Sequence, residues 1–287
     1  MQELFNEYQK TILQKNINNT TEKLIKVSRE EMTESNLKTL VSLIDLTSLN
    51  VDDNTKNIQD LCLKVNLLTE ALPSVPNVAA ICVYPSLIPV IFSNLNSRKV
   101  RISSAAGGFP ASLTFIEIKK REIELSVEAG ANEIDIVLPV GKFIEEKYEE
   151  VHDEITQFKE AAGKAKLKVI LETGALSGYK AVRKAALLAM DAGADFIKTS
   201  TGKIPQAATP DKFLVMAEAI KDFHLKTNKM VGIKAAGGIS TPENALIYFT
   251  IVKNVLGEEW LNNKYFRIGA SKLLGNLLDK IKELSEN

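Results

Sequence analysis

Three lysines sit inside runs of apolar or small residues: Lys168 in LKVIL, Lys198 in DFIKTST and Lys234 in VGIKAAGG. A side chain in the middle of such a run faces a packed interior, where an ammonium must be paired or must give up its proton. A neutral amine adds to a carbonyl to form an imine, and an ammonium cannot. A single lysine of this kind is as readily explained by a long side chain that snorkels to solvent. Three on consecutive strands, two of them among small residues near a strand end, weaken that explanation.

Neighbouring strands would put Lys198 and Lys234 side by side. Two ammoniums about 6 Å apart repel by roughly 3 kcal/mol at an effective dielectric of ~20, about two pKa units. Partial desolvation pushes the same way, so one of the pair can supply free amine near neutral pH. Asp135 interrupts the apolar EIDIVLP and Asp45 interrupts SLIDLTSL, and either carboxylate could serve as an acid/base partner. Gly237-Gly238 and Gly269-Ala270-Ser271 follow the last two β-rich runs. Such loops either make tight turns or, with a helix N-terminus, hold a phosphate. The residues point to imine chemistry on a phosphorylated carbonyl compound, with no metal and no cofactor. They leave open which sugar is used and which lysine attacks.

The elements that must position these groups alternate regularly. Short β-rich runs occur at 40–47, 78–85, 99–107, 133–139, 167–174, 195–201, 230–238 and 265–271, with amphipathic stretches between them. Thr209-Pro210 and Thr241-Pro242 read as N-cap and first helical residue of two of the helices. Eight βα units predict an α/β (β/α)₈ TIM barrel, with a doubly wound open sheet as the alternative. Residues 1–39 read as an N-terminal extension of two helices, the second near SREEMTESNLKTL, that decorates the barrel or caps its N-terminal face. Residues 40–287 form the single barrel domain.

Composition narrows the function classes. Lysine plus arginine equals aspartate plus glutamate at 36 each, so no long-range field recruits nucleic acid or a membrane surface. The two cysteines, Cys62 and Cys82, suggest a reducing compartment more than a disulfide framework. No signal peptide and no run of about 18 apolar residues is present, which makes the cytoplasm the expected location. The histidines, His152 and His224, lie in polar helical stretches without metal-ligand spacing. Neither a P-loop nor a G-x-G-x-x-G fingerprint occurs.

From IDLTSL to FRIGAS, about residues 40–275, the chain resembles the deoxyribose-phosphate aldolase family. GADFIKTSTGK together with GIKAAGG is the most specific part of the match. The resemblance implies that Lys198 forms the Schiff base, that Lys234 is the neighbouring cation that tunes it, and that Asp135 moves protons through an ordered water. It implies that Lys168 supports this network, that Asp45, Thr201 and Lys203 line the substrate pocket, and that Gly237, Gly238, Gly269 and Ser271 hold the phosphate. The partner is then a small-molecule sugar phosphate; a homodimer is left open. Four positions depart from the family pattern: Ala235 for proline, Ser240 for arginine, Lys272 for a small residue, and Glu286-Asn287 where some members end in tyrosine. The rivals are another Schiff-base aldolase or a transaldolase, discriminated by whether acetaldehyde serves as donor, and a barrel that binds sugar phosphate without turnover.

Overall fold

The computed structural model describes residues 1–286; Asn287, which falls within the C-terminal departure, lies outside the described residues. The strands are β1 (Ile44–Thr47), β2 (Ala80–Val83), β3 (Arg101–Ala105), β4 (Glu133–Val137), β5 (Lys166–Ile170), β6 (Phe196–Lys198), β7 (Gly232–Ala236) and β8 (Phe266–Ala270). Each pairs in parallel with the next, and β8 pairs with β1, so the sheet is a closed barrel rather than an open one. The helices are α1 (Gln2–Glu7), α2 (Gln14–Val27), α3 (Glu34–Ser42), α4 (Thr55–Ala71), α5 (Ile88–Asn94), α6 (Ile116–Glu128), α7 (Val140–Ile144), α8 (Tyr148–Ala162), α9 (Gly178–Asp191), α10 (Pro210–Thr227), α11 (Pro242–Val255) and α12 (Leu273–Ser285).

Strand alternation divides the side chains. Ile134 and Ile136, Leu167 and Val169, Ile233 and Ala235, and Phe266 and Ile268 belong to the buried apolar core between sheet and helices. The residues between them point inward, since Asp135 on β4 reaches Lys234 on β7, three strands away. A parallel barrel with both faces buried reads as continuous β-rich sequence for this reason.

Element ends differ from the sequence expectation where local bonding decides them. The first run starts as helix, because α3 continues through Ser42 and leaves β1 only four residues. β6 stops at Lys198, where Thr199 and Ser200 turn to bind β7: the Ser200 hydroxyl donates to the Ala236 carbonyl at 2.6 Å. Thr241 caps α11 by accepting from the Asn244 amide, whereas Thr209 precedes Pro210 at the start of α10 without a side-chain cap.

The first 39 residues hold more helix than the sequence suggests. Thr33 breaks the SREEMTESNLKTL stretch, accepting from the Asn36 amide to start α3, while Ser28–Glu31 forms a 3₁₀ turn. α1 packs on α9, α2 on α10 and α11, and α3 on α12, so the extension lies along the outside of the helix ring. Among the described residues, no helix is long and apolar enough to cross a membrane.

Gly232 lies under the Phe196 ring, where a Cβ would come within 2.3 Å of a ring carbon. Gly275 in α12 has nothing within 4 Å of that position. Denaturant unfolding should therefore separate the two glycines. Gly232→Ala is expected to lose about 1–3 kcal/mol through overpacking, and Gly275→Ala to gain about 0.5–1 kcal/mol of helix stability.

Candidate active site

The inner face of the barrel carries charge. Asp135 is fully buried, and its Oδ2 accepts from Lys198 at 2.7 Å and from Lys234 at 2.8 Å. Its Oδ1 accepts from Lys168 at 2.9 Å and from the Ser103 hydroxyl at 3.0 Å. Lys234 also meets Asp45 at 2.5 Å, and Lys168 meets Glu133 at 2.6 Å. Arg267 joins the lower ends, with Nη1 2.5 Å from Asp45 and Nη2 2.7 Å from Glu133. The register explains the assembly: Lys198 is paired in the sheet with Lys234, and Lys234 with Arg267. Gly269 leaves room for the Lys234 chain, since a Cβ there would lie 3.1 Å from its Cε.

These residues form one lattice of four cations and three carboxylates, all buried. With every group ionised it carries one uncompensated positive charge in a place where water cannot dilute it. Loss of one proton from one lysine brings the lattice to neutrality. Among the described residues, Lys168, Lys234 and Arg267 each touch at least two carboxylates, whereas Lys198 touches only Asp135.

The pKa directions follow this arrangement. Burial pushes Lys198 below the ordinary lysine value and the nearby Lys234 charge adds to the effect, against the attraction of Asp135. Burial is therefore a larger cause than the lysine–lysine repulsion on which the sequence argument relied. Burial opposes the charged form of Lys234 too, but Asp135 and Asp45 outweigh it and hold that ammonium well above its usual range. Lys168 is likewise raised, with Asp135, Glu133 and Asp45 overcoming burial. Asp135 is held well below the carboxylate range despite burial, because three lysines surround it.

Above the lattice a cavity of about 390 Å³ opens at the C-terminal ends of the strands. Lys198 forms its floor, being 3% exposed where Lys168, Lys234 and Asp135 are not exposed at all. Thr201, Lys203, Gly237, Gly238, Gly269 and Ser271 are in its wall, together with Ser240 and Lys272. Asp45 is placed differently from the expectation: it is fully buried among Lys234, Arg267 and Lys168 and does not line the cavity. Gly237 and Gly238 have φ of +91° and +79°, and a Cβ on Gly237 would lie 2.4 Å from the Ala207 side chain. Both the backbone conformation and the space at Gly237 require glycine.

Several contributors escaped the sequence reading. Glu133 opens EIDIVLP and Arg267 lies in FRIGAS, at the N-terminal ends of their strands, where charge passes for solvent-facing. Glu172, itself at φ +50°, accepts the Thr201 amide at 3.1 Å and the Thr201 hydroxyl at 2.6 Å, fixing the loop that forms one wall. Lys203 lines the cavity and also donates to the Leu49 carbonyl, tying that loop to the one after β1. His152 and His224 lie on the outer helices α8 and α10 and take no part.

Residues 39–256 match the family model described as DeoC/LacD family aldolase. A curated relative from Homo sapiens, deoxyribose-phosphate aldolase, is 43% identical over 247 residues, covering 83% of this chain and 78% of the relative. Among solved structures, the aldolase QR15 aligns with a TM-score of 0.69 and 28% identity, covering 85% of this chain and 96% of its own. The deoxyribose phosphate aldolase from Aeropyrum pernix, described as tetrameric, aligns with a TM-score of 0.71 over 91% of this chain and 97% of its own. At 23% identity that likeness speaks to the fold alone.

Lys234→Met removes the cation that Asp45 and Asp135 share, leaving Asp45 to Arg267 and Asp135 to Lys198 and Lys168. Urea unfolding at neutral pH should show a loss of about 1.5–3 kcal/mol, the usual value of a hydrogen bond to a charged group. The double variant Lys234→Met/Asp45→Asn should recover part of it. A single variant as stable as the parent would mean that these carboxylates are compensated without Lys234.

Proposed function

The chain belongs to the DeoC/LacD family of aldolases, and from that membership we propose its reaction and the part each residue takes in it. The enzyme reversibly cleaves 2-deoxy-D-ribose 5-phosphate to D-glyceraldehyde 3-phosphate and acetaldehyde. The observation that carries the residue assignment is the lattice count, four cations against three carboxylates with Lys198 alone at the cavity floor. It supports Lys198 as the residue that gives up its proton and attacks.

The free amine of Lys198 adds to C1 of the open-chain aldehyde, and uptake of one proton by the departing hydroxyl, which leaves as water, gives a protonated imine. That cation restores the uncompensated charge, so it draws electrons strongly. A base takes the proton from the C3 hydroxyl, the C2–C3 bond breaks, and its electron pair enters the imine to give a neutral enamine. Glyceraldehyde 3-phosphate departs with the new C3 aldehyde. Protonation of the enamine at C2 and hydrolysis of the imine release acetaldehyde and return the amine. The free amine and the enamine are the two states in which the lattice charges balance. The same imbalance thus favours both the nucleophile and the bond-breaking step.

Asp135 is assigned the proton relay. Its carboxyl is held well below the usual range and lies beneath the cavity floor, which suits a group that passes a proton on and does not retain it. It would reach the substrate through an ordered water or the lysines it touches. Thr201 and Lys203 are assigned to the sugar; Gly237, Gly238, Gly269 and Ser271 to the phosphate, through backbone N–H groups beside the start of α12. Lys272 lies in the same wall and supplies charge where Ser240 does not. A cytoplasmic location belongs to the same reading, supported by the buried, unpaired Cys62 and Cys82.

Borohydride added with acetaldehyde should fix an ethyl group on Lys198, read by peptide mass mapping; a label on Lys234 or Lys168 would overturn the assignment. Failure of acetaldehyde to act as donor would favour a transaldolase or another Schiff-base aldolase.

The pH profile tests the tuning. Lys198 is reactive above its pKa, and a lowered pKa extends activity to lower pH. Lys234→Met should raise that pKa, moving the acidic limb of kcat/KM upward by as much as about two pH units. A uniform loss with the limb unmoved would count against a charge effect.

Lys272→Ser should raise KM for deoxyribose 5-phosphate roughly tenfold while leaving unphosphorylated deoxyribose unaffected. An equal effect on both substrates would remove Lys272 from the phosphate site.

A further inference from the structure

The lattice extends below the residues that touch the cavity. Glu133 and Arg267 lie at the inner ends of β4 and β8, each within 4% of full burial, and contact each other twice, at 2.7 and 3.2 Å. Neither reaches the cavity over Lys198. In the strand order they flank Lys198 symmetrically, with β5 between β4 and β6 and β7 between β6 and β8. Glu133 holds Lys168 at 2.6 Å, and Arg267 holds Asp45 at 2.5 Å, so each is one contact from a residue that touches Asp135 or Lys234.

We propose that Glu133 and Arg267 are positioning residues that set, from the barrel floor, the charge balance under which Lys198 surrenders its proton. The proposal rests on the reading of Lys198 as the nucleophile. A buried pair that served only to hold the strands together could be neutral and hydrogen-bonded. An ionised one alters the count: without Arg267 three cations face three carboxylates, and Lys198 has no reason to deprotonate. Without Glu133 four cations face two, and the pressure to deprotonate increases.

The groups that face Lys198 and this pair come from every strand. β1 supplies Asp45, β2 the Cys82 thiol, β3 the Ser103 hydroxyl, β4 Asp135, β5 Lys168 and β7 Lys234. The Phe196 ring of β6 stacks on the Arg267 guanidinium at 5.7 Å. A second cavity, on the N-terminal face, is lined by Glu133 and Arg267 themselves and edged by Lys99, Arg101, Lys164, Lys166 and Lys264. Lys166 is paired with Asp195, and the others stand at the rim where solvent screens them. A unit charge two strands from Lys198, about 10 Å away, shifts it by about one pH unit at an effective dielectric of ~20.

The acidic limb of the kcat/KM–pH profile, measured for three variants, decides the matter. Glu133→Gln should move it down by about one unit and Arg267→Met up by about one, so kcat/KM below the limb changes roughly tenfold in opposite directions. The double variant restores the balance and should return the limb to within a few tenths of a unit of the parent, with kcat on the plateau near the parent value. Shifts in the same direction, or losses of kcat with the limb unmoved, would overturn the proposal and leave the pair a structural role. If Arg267→Met does not fold, Glu133→Gln decides alone, since it keeps the shape and differs in charge; its own failure to fold would also overturn the proposal. Borohydride trapping with acetaldehyde on the parent keeps the two readings apart. Trapping away from Lys198 defeats the nucleophile assignment, whereas trapping on Lys198 with an unresponsive limb defeats only the present inference.

Discussion

Asp135 accepts from Lys198 and Lys234 on one carboxylate oxygen and from Lys168 on the other, and none of the four is exposed enough for water to take over that role. Taking four charges out of water is unfavourable by several kcal/mol each, and their mutual attraction offsets this only when geometry is close and every proton and lone pair is used. The barrel supplies further partners: Ser103 for Asp135, Glu133 for Lys168, and Asp45 for Lys234, the last a charge contact to an Oδ2 that accepts no hydrogen bond. Much of the inward-facing sequence of the strands can be understood as completing this one network.

Closure of the sheet is what makes the network possible. Strands in a sheet lie about 4.8 Å apart, so in an open sheet β4 and β7 would be some 14 Å from one another. In the closed barrel their inward side chains meet, and Asp135 touches Lys234 directly. The outward side chains of the same strands remain apolar under the helices, which confines the polar groups to the centre. Stability and chemistry are thereby placed on opposite faces of each strand. The N-terminal helices pack outside this shell and touch neither cavity nor lattice.

Above the lattice the requirements change from charge to backbone shape. Glu172 clamps Thr201, Thr199 and Ser200 bond across to β7, and Gly237 and Gly238, both in the left-handed region, line the cavity. These loops form the wall of the cavity, and among the described residues Lys198 is the member of the lattice that lines it. Lys198 stands at the floor of the cavity, while the wall above it combines backbone of the glycine loops with Lys203 and Lys272.

The strand rhythm was legible in the sequence, because eight β-rich runs alternating with amphipathic stretches leave few architectures, and the lysines inside those runs were conspicuous against apolar neighbours. Lys168, Lys198, Lys234 and Asp135 could all be singled out on that contrast alone. Sequence could not decide how deep below the barrel mouth each inward side chain would lie, since that depends on the register of eight strands around the closed barrel. Hence Asp45 was expected in the cavity wall and lies beneath it, and Glu133 and Arg267, at strand ends where charge normally meets solvent, were passed over. Residue types and spacing determined that an amine could be made reactive here. The tertiary structure decided which lysine stands at the cavity floor and which are held by two or more carboxylates, because the number of buried charges and their distance from water exist only once eight strands close around a common centre.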